Sequence, residues 1–453
     1  FLLTENLPQQ EQQAADPLKI AYCAFHGAGR RAVPRLLGEV GFTDVKVITE
    51  GGLNDLDGLF PSFSSDPGRE QQPDPGDARA ARTAVEAFKR QYGSLDEFDI
   101  LIGTDPDADR CGVVVKVPPD QQDLYDGQDW VLLPADEMWA LLIWYRLHRE
   151  TEKHGRVQDA EKKFIVLSHT TSESIVLLAR KHGLGAVTTW VGFAALAAAV
   201  RDLWEGEEIP PLVEGRAGAD AALCHPFVCR CLGIDDRRSI NVAAMEQSNG
   251  FSILGGPPPD QRSLGADGHV RDKDGTLAAL LIAEIAAWAK QQGTTLYELI
   301  DKHVHLDQDV GLFVNHYEPD PIDGEYPGIE GDRKKKEILL RALGCHGRAL
   351  EGDFKIAGLD VSSAVIYRTG KYDAIYPPTE EFQFPDEGIR FYFGDELNHA
   401  TVRPSGTGNS LRFHVQVHDP QPGANLVEKK RELRARAKAI ADNLREILDA
   451  PRS

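Results

Sequence analysis

The sequence predicts an α/β protein, with two similar open-sheet α/β domains followed by a C-terminal α+β domain. Three observations carry this reading. Between residues 19 and 115, apolar runs of strand length alternate with amphipathic segments of helix length. The same alternation returns between residues 135 and 291, as a weak internal repeat. Beyond residue 335 the order changes to short strands and one long terminal helix.

Residues 1–17 are polar and Gln-rich and read as a linker. Lys19 to Phe25 reads as a strand, closed by the turn His26-Gly27-Ala28-Gly29. A helix from Arg31 to about Val40 and a strand at Val45–Thr49 follow. Residues 50–77 are rich in Gly, Pro, Asp and Ser and read as a long loop before a charged amphipathic helix, Ala78 to Tyr92. The run Phe98 to Gly103 is a strand end, and Val113-Val114-Val115 begins another. The second unit starts near Asp129, with a helix at Ala135–Leu147, a strand at Phe164–Leu167, a helix at Glu173–His182 and a strand at Ala186–Thr189. The turn Trp190-Val191-Gly192-Phe193 then opens an Ala-rich helix, and an irregular insertion spans 201–240. Asn241–Met245 reads as a strand and Gly275–Gln291 as a helix. Residues 305–334 read as a linker region, rich in Pro, Gly and Asp. The last unit shows strands near Ser363–Tyr367, Gly388–Phe393 and Leu411–Val417, then a helix at Leu426–Leu448.

A chain of 453 residues holds about three domains of ordinary size. A net charge of −21 argues against nucleic acid or an anionic membrane as the main partner. An anionic substrate must therefore be captured by a local basic site. No apolar run is long enough to span a bilayer. Six cysteines in a chain this long are not a disulfide framework, and a cytoplasmic, reducing setting is expected. The chain starts at Phe1 rather than Met, which reads as a fragment or processed product.

The most informative stretch is Asp105-Pro106-Asp107-Ala108-Asp109-Arg110, between two strand-like runs. Three carboxylates crowded on one turn repel one another unless a cation sits among them. Oxygen-only ligands suit Mg²⁺ better than zinc or copper, and Mg²⁺ with few protein ligands commonly faces a phosphate. An EF-hand would need Gly and Glu where Arg110 and Lys116 stand, which disfavours calcium. Arg110 is a fixed phosphate partner, so the turn reads as phosphoryl-transfer machinery rather than a solvated acidic turn.

The second strong stretch runs from Arg403 to Arg412. Ser405, Gly406 and Thr407 offer N–H and O–H donors to one anion, and Arg403 and Arg412 flank them as a phosphate clamp. Glu246 and Ser248 close a strand, where ligands of open sheets gather, and suit adjacent sugar hydroxyls. Lys273 and Arg271 precede a helix that Asp274 would cap. Cys224, His225, Cys229 and Cys231 fit no paired zinc knuckle, and the Ser168-His169 pair reads as structural because adjacent strand residues face opposite ways.

These stretches, in this order, resemble the motifs of the α-D-phosphohexomutase superfamily of phosphoglucomutases and phosphomannomutases, from about residue 19 to the end. His26 to Gly29 is similar to its HGxG turn, Asp105 to Arg110 to its magnesium loop, and Thr188 to Phe193 to its sugar-recognition turn. Glu246 to Gly250 resembles its E-x-S-x-G loop, His269 to Gly275 a phosphate-contacting stretch, and Arg403 to Arg412 its R-x-S-G-T phosphate loop. The resemblance implies domains around a deep cleft and transfer of phosphate between a phosphoserine and a sugar phosphate, through a sugar 1,6-bisphosphate. It implies a metal-binding α/β domain at 19–128 after the linker 1–18, a sugar-recognition α/β domain at 129–304, and a phosphate-binding α+β domain at 335–453. Asp105, Asp107 and Asp109 would hold Mg²⁺, with Arg110 as the catalytic partner. Gly192, Glu246 and Ser248 would read the sugar, and Lys273, Arg403, Ser405, Gly406, Thr407 and Arg412 the non-reacting phosphate.

The chain departs from the family pattern in places. Pro106 replaces a usual Gly, Ala194 a frequent Lys, Gly408 a usual Glu, and Gln247 the second acid of the sugar loop. The family's T-x-S-H-N-P-type serine loop is not found in these residues, so a serine domain, in cis or as a separate chain, is the expected partner besides a phosphosugar. The reading is thus a sugar 1-phosphate/6-phosphate mutase, inactive as this chain alone. A non-catalytic sugar-phosphate-binding or regulatory protein and a phosphopentomutase-like member are the alternatives. A D-x-D-x-T phosphatase is disfavoured, because Asp109 stands at the Thr position.

Overall fold

Three apolar runs in the first 116 residues assemble, with two further strands, into one sheet. A computed structural model describes residues 16–63, 73–207, 223–224, 227–259, 265–318, 326–371, 373–375, 377, 379, 384–405 and 410–450. The first sheet takes β1 (Lys19–Cys23), β2 (Asp44–Val47), β3 (Ile100–Thr104), β4 (Cys111–Lys116) and β5 (Trp130–Leu132), in the order β2-β1-β3-β4-β5. β1 runs parallel to β2 and β3, whereas β4 and β5 return antiparallel. Cys23 pairs with Gly103, so the turns after β1 and β3 leave the sheet at the same end. Helices α1 (Gly29–Val40) and α2 (Ala78–Tyr92) cover it. Asp77 caps α2, its carboxylate accepting from the Arg79 amide at 2.7 Å.

The second sheet follows α3 (Ala135–His154), and takes β6 (Lys163–Ser168) and β7 (Gly185–Thr189), separated by α4 (Glu173–Lys181). After α5 (Phe193–Glu205), β8 (Leu223–Cys224) leaves for the third sheet, and β9 (Val228–Leu232), β10 (Ile240–Met245) and β11 (Phe251–Ser252) complete the order β11-β10-β6-β7-β9. Helix α6 (Gly275–Gln291) and the short α7 (Leu296–Ile300) come next. The third sheet has the order β12-β18-β17-β16-β15-β8. It is built from β12 (Leu312–Glu318), β15 (Ser363–Arg368), β16 (Gly388–Phe393), β17 (Asp395–Pro404) and β18 (Leu411–Asp419), with a small hairpin of β13 (Lys355–Ile356) and β14 (Leu359–Asp360) before β15. All pairs are antiparallel except β15 with β8. The fold is therefore mixed α/β with two open α/β sheets and a C-terminal α+β unit.

Three findings correct the reading from sequence. The segment 305–334, read as a linker, contributes the edge strand β12 and the start of α8 (Gly328–Leu350). The division near 129 cuts off β5, whose Leu132 pairs with Val114 in the first sheet. Helix α6, assigned to the second unit, packs against α1, β3 and β4 of the first. Both units share one core in which Trp139, Ile143, Ile282 and Ile285 are fully buried beside Ile102 and Val113. Each such side chain contributes about 1.5–3 kcal/mol by leaving water. The insertion at 201–240 also bridges units, since Leu223 pairs with Tyr367 of the third sheet.

The terminal helix α9 (Leu426–Leu448) covers the third sheet and reaches the other units through buried polar contacts. Lys430 Nζ donates to Gln121 Oε1 at 2.9 Å and to Asp301, while Asp301 also accepts from His305 Nδ1 at 2.9 Å. Arg434 donates to the Tyr125 hydroxyl at 2.7 Å. No helix among the described residues is long and apolar enough to cross a membrane.

Candidate active site

The Asp turn is the loop of the β3–β4 hairpin, and its shape follows from its neighbours. Ala108 takes a left-handed φ of 61°, which folds the three carboxylates onto one side. Their oxygens lie within 4.8 Å of one another, with Asp105 buried, Asp107 exposed and Asp109 between. Behind them, the Ala28 amide donates to Pro106 O at 2.7 Å. Gly27 makes this approach possible, because a Cβ there would stand 2.5 Å from Pro106 Cα.

Arg110 holds the turn from its far end. Its backbone amide donates to Asp105 Oδ1 at 2.9 Å and its Nε to Oδ2 at 2.7 Å. Its Nη1 donates to Asp74 Oδ2 at 2.7 Å. Burial pushes the Asp105 carboxyl up to about 7, against the lowering pull of Arg110 and with a raising push from Asp109. A buried carboxyl that resists ionisation, aimed at two more carboxylates, is a donor set that a hard divalent cation relieves. The three aspartates therefore fit magnesium. Among the described residues this is the one group of three or more metal-ligating side chains, and Cys224 and His225 lie outside the side chains described.

Residues 246–250, read from the sequence as a sugar loop, meet this turn across the shared core. Asn249 Nδ2 donates to Cys111 O at 2.9 Å, and Arg110 bridges to Gly250. Glu246 is buried at the end of β10, its Oε1 accepting from the Gly192 amide at 2.7 Å and its Oε2 from the Ser248 hydroxyl at 3.3 Å. Gly192 has a φ of 120°, which turns its N–H onto Glu246 and which a side chain would oppose. Trp139 Nε1 anchors the Glu246 carbonyl at 2.8 Å. Burial raises the Glu246 carboxyl, while the Gly192 N–H and the charge of Lys273 oppose that rise. Lys273 reaches across to Asp109, Nζ to Oδ2 at 2.7 Å, so its ammonium stands on the aspartate turn itself. Asp274 caps α6, accepting from the Thr276 amide at 2.8 Å. Gln247, the departure in the sugar loop, accepts from Ser168 Oγ at 2.8 Å, and His169 is buried with its carbonyl on Arg390. The Ser168-His169 pair is thus absorbed in structure.

On the third sheet, Arg403 of β17 lies directly opposite Arg412 of β18. Like charges opposed across two strands are unfavourable unless an anion sits between them. The Arg403 guanidinium is buried, which holds its pKa below the usual range, with Glu387 and Glu246 opposing. Its Nε has no hydrogen-bond partner among the described residues. The Ser405 amide donates to Ser410 O at 2.8 Å, closing the neck of the loop. Gly406 and Thr407 lie outside the described residues. A cavity of about 530 Å³ separates this sheet from the Gly192 turn.

The structure thus gathers Asp105, Asp107, Asp109, Arg110, Lys273, Glu246, Ser248 and Gly192 into one connected surface, with Arg403 acting electrostatically on Glu246. Sequence reasoning missed Asp74 and Trp139, which fix Arg110 and Glu246 from distant segments. Asn249 was within the stretch read as the sugar loop but received no role of its own.

A family model described as phosphoglucomutase/phosphomannomutase, alpha/beta/alpha domain II, matches residues 2–117. Phosphoglucomutase of Staphylococcus haemolyticus is 26% identical over 418 residues, covering 92% of this chain and 59% of that protein. Phosphoglucomutase of Staphylococcus aureus strain MRSA252 is 24% identical over 404 residues, covering 89% and 57%. Among solved structures, Paramecium parafusin, a phosphoglucomutase in open form, superposes with a TM-score of 0.54 at 16% identity, covering 99% of this chain and 61% of its own. A Thermus thermophilus protein bearing the phosphomannomutase name gives 0.50 at 17%, covering 96% and 62%. The two structural likenesses speak for the fold. The chain spans about three fifths of the length of these relatives. The chain is thus similar to phosphoglucomutase over 92% of its length, and residues 2–117 match the second α/β/α domain of the phosphoglucomutase/phosphomannomutase family.

Proposed function

We propose that this chain is the metal-, sugar- and phosphate-binding portion of a sugar-phosphate mutase that interconverts 1- and 6-phosphates through a sugar 1,6-bisphosphate. The observation that carries the reading is the meeting of the three-aspartate turn with Glu246 and Lys273 on one surface. Magnesium held by Asp105, Asp107 and Asp109 would supply positive charge at the phosphoryl group in transfer. Arg110 keeps Asp105 oriented through two hydrogen bonds and is itself braced by Asp74. Glu246 and Ser248 offer acceptor and donor atoms to neighbouring sugar hydroxyls, and the Gly192 N–H fixes the Glu246 rotamer. Arg403, Ser405 and Arg412, with Gly406 and Thr407 of the same loop, take the phosphate that is not transferred. Positioning and charge neutralisation then carry the reaction. The serine that carries the phosphoryl group is expected from a further domain, in cis or as a separate chain.

Turnover of glucose 1-phosphate with catalytic glucose 1,6-bisphosphate and Mg²⁺ is the test, run on the full-length protein and on this chain alone, with ribose 1-phosphate alongside. Turnover by the full-length protein and none by this chain supports the reading. Tight binding of sugar phosphate without turnover by the full-length protein favours a regulatory binding role. Turnover by the 453-residue chain alone would show that the nucleophile lies within it.

A further inference from the structure

The cavity between the second and third sheets has two unlike walls. Trp190, Val191, Ala194, Ala195 and Phe227 line one side and bring no ionisable group. The other side is Thr369, Gly370, Lys371 and Glu387, so Lys371 is the one cation among the described lining residues. A volume of about 530 Å³ is within the range for a small-molecule site.

The Lys371 segment is held in place. The Thr369 amide donates to Asp386 Oδ1 at 2.6 Å, and the Lys371 amide donates to Thr369 Oγ1 at 3.2 Å. Asp386 is buried, so the turn is anchored from beneath. The Lys371 ammonium then lies 3.3 Å from Glu387 Oε1, with the lysine side chain 45% exposed and the glutamate 9%.

The strand position after Glu387 packs against a second cation's residue. The next residue, Gly388, approaches Arg403 so closely that a Cβ would stand 2.7 Å from Arg403 Cβ. Burial raises the Glu387 carboxyl, and the charges of Arg403 and Lys371 both pull it down. The buried Glu387 carboxylate thus pairs with Lys371 on the cavity wall and feels the charge of Arg403, whose strand packs against Gly388. A carboxylate so placed does what a bound anion would do: it offsets the positive charge and screens the repulsion between the cations.

We propose that Lys371 is a third cation of the phosphate site formed by Arg403 and Arg412, and that Glu387 is the positioning residue that holds it there in the free protein. The inference rests on the sugar-phosphate reading above and adds a contact from a segment outside every recognised motif. It also gives the apolar Ala194–Ala195 wall a consequence. Among the described lining residues that side brings no charge, and the cation comes from the C-terminal unit.

The test is titration of the full-length protein with glucose 1-phosphate, with Mg²⁺ affinity measured in the same samples as the check on folding. Lys371→Met should weaken glucose 1-phosphate binding about fivefold to tenfold, since its ammonium is only half withdrawn from water. Mg²⁺ affinity should not change, and Lys371→Arg should restore most of the binding. Glu387→Gln should tighten glucose 1-phosphate binding severalfold, because it removes a competing negative charge. A purely structural role for Glu387 predicts the opposite sign. Equal binding by wild type and Lys371→Met, or weaker binding by Glu387→Gln, overturns the assignment while leaving the mutase reading intact. A wild-type protein that binds no glucose 1-phosphate overturns both.

Discussion

Replacing Asp105 by Asn should change how stability depends on pH, and the size of the change follows from burial. In the fold the Asp105 carboxyl titrates near 7, whereas an ordinary aspartate titrates near 3.8. The folded state therefore holds the proton more tightly than the unfolded chain. Below the unfolded value both states are protonated, and the group does not affect stability. As pH rises from the unfolded value to the folded one, the unfolded chain ionises freely while the fold resists, and stability is lost. A gap of about three pH units at about 1.36 kcal/mol each corresponds to a loss on the order of 4 kcal/mol between about pH 4 and pH 8. Asparagine keeps the shape and can still accept from the Arg110 amide, but it carries no charge to desolvate.

The assay is urea unfolding across that pH range, in a chelator and again in excess Mg²⁺. In chelator, the wild type should lose stability relative to Asp105→Asn as pH rises. Excess Mg²⁺ should flatten the wild-type curve and leave the variant nearly unchanged, because a bound cation compensates the ionised carboxylate. Parallel curves for the two proteins in chelator would refute the argument, since they would mean that Asp105 ionises in the fold as easily as in water.

Other perturbations test separate parts of the site. Asp107→Asn removes an exposed carboxylate of the proposed metal turn, and calorimetry should show Mg²⁺ binding weakened with little change in stability. Arg403→Ala removes a charge-assisted contact worth about 1.5–3 kcal/mol, so glucose 1-phosphate should bind roughly ten- to a hundredfold more weakly, with Mg²⁺ affinity retained. Lys430→Met leaves buried Asp301 short of a cation and should cost about 3 kcal/mol in denaturant unfolding, with the terminal helix loosening first by hydrogen exchange.

Local signals were legible where the chain states its own boundaries. Ala78–Tyr92 and Gly275–Gln291 were read to the residue, since each opens after an Asp cap and carries a clear apolar pattern. Strand β17 escaped because its buried positions include Asn398, His399, Thr401 and Arg403. Polar residues that serve a site or an inter-sheet contact erase the alternation on which strand reading depends. Helix α8 was hidden by its Gly residues and its Lys run, although it buries Ile338, Leu339 and Ala342 against the third sheet. The linker read at 305–334 failed for a related reason: β12 is an edge strand bounded by Gly and Asp, and turn chemistry on either side outweighed its short apolar pattern.

What sequence cannot supply is which sheet a helix covers, and here that question decides the site. Helix α6 buries residues around much of its circumference, from Ala278 and Ala279 to Ile282, Ile285 and Ala289. Such a helix is enclosed between layers, but periodicity does not say which layers. Its packing on β3 and β4 brings the Gly275 amide to Ala108 O at 3.1 Å, and so carries Lys273 onto Asp109. Lys273 also packs on Gly250, so it stands where the 246–250 loop and the aspartate turn meet. The shared core therefore joins the proposed sugar-reading loop to the proposed metal turn, and the Lys273–Asp109 pair is where the two meet. On the proposed function, a cation entering the aspartate turn would compete with that ammonium for Asp109, which would couple the two sites energetically.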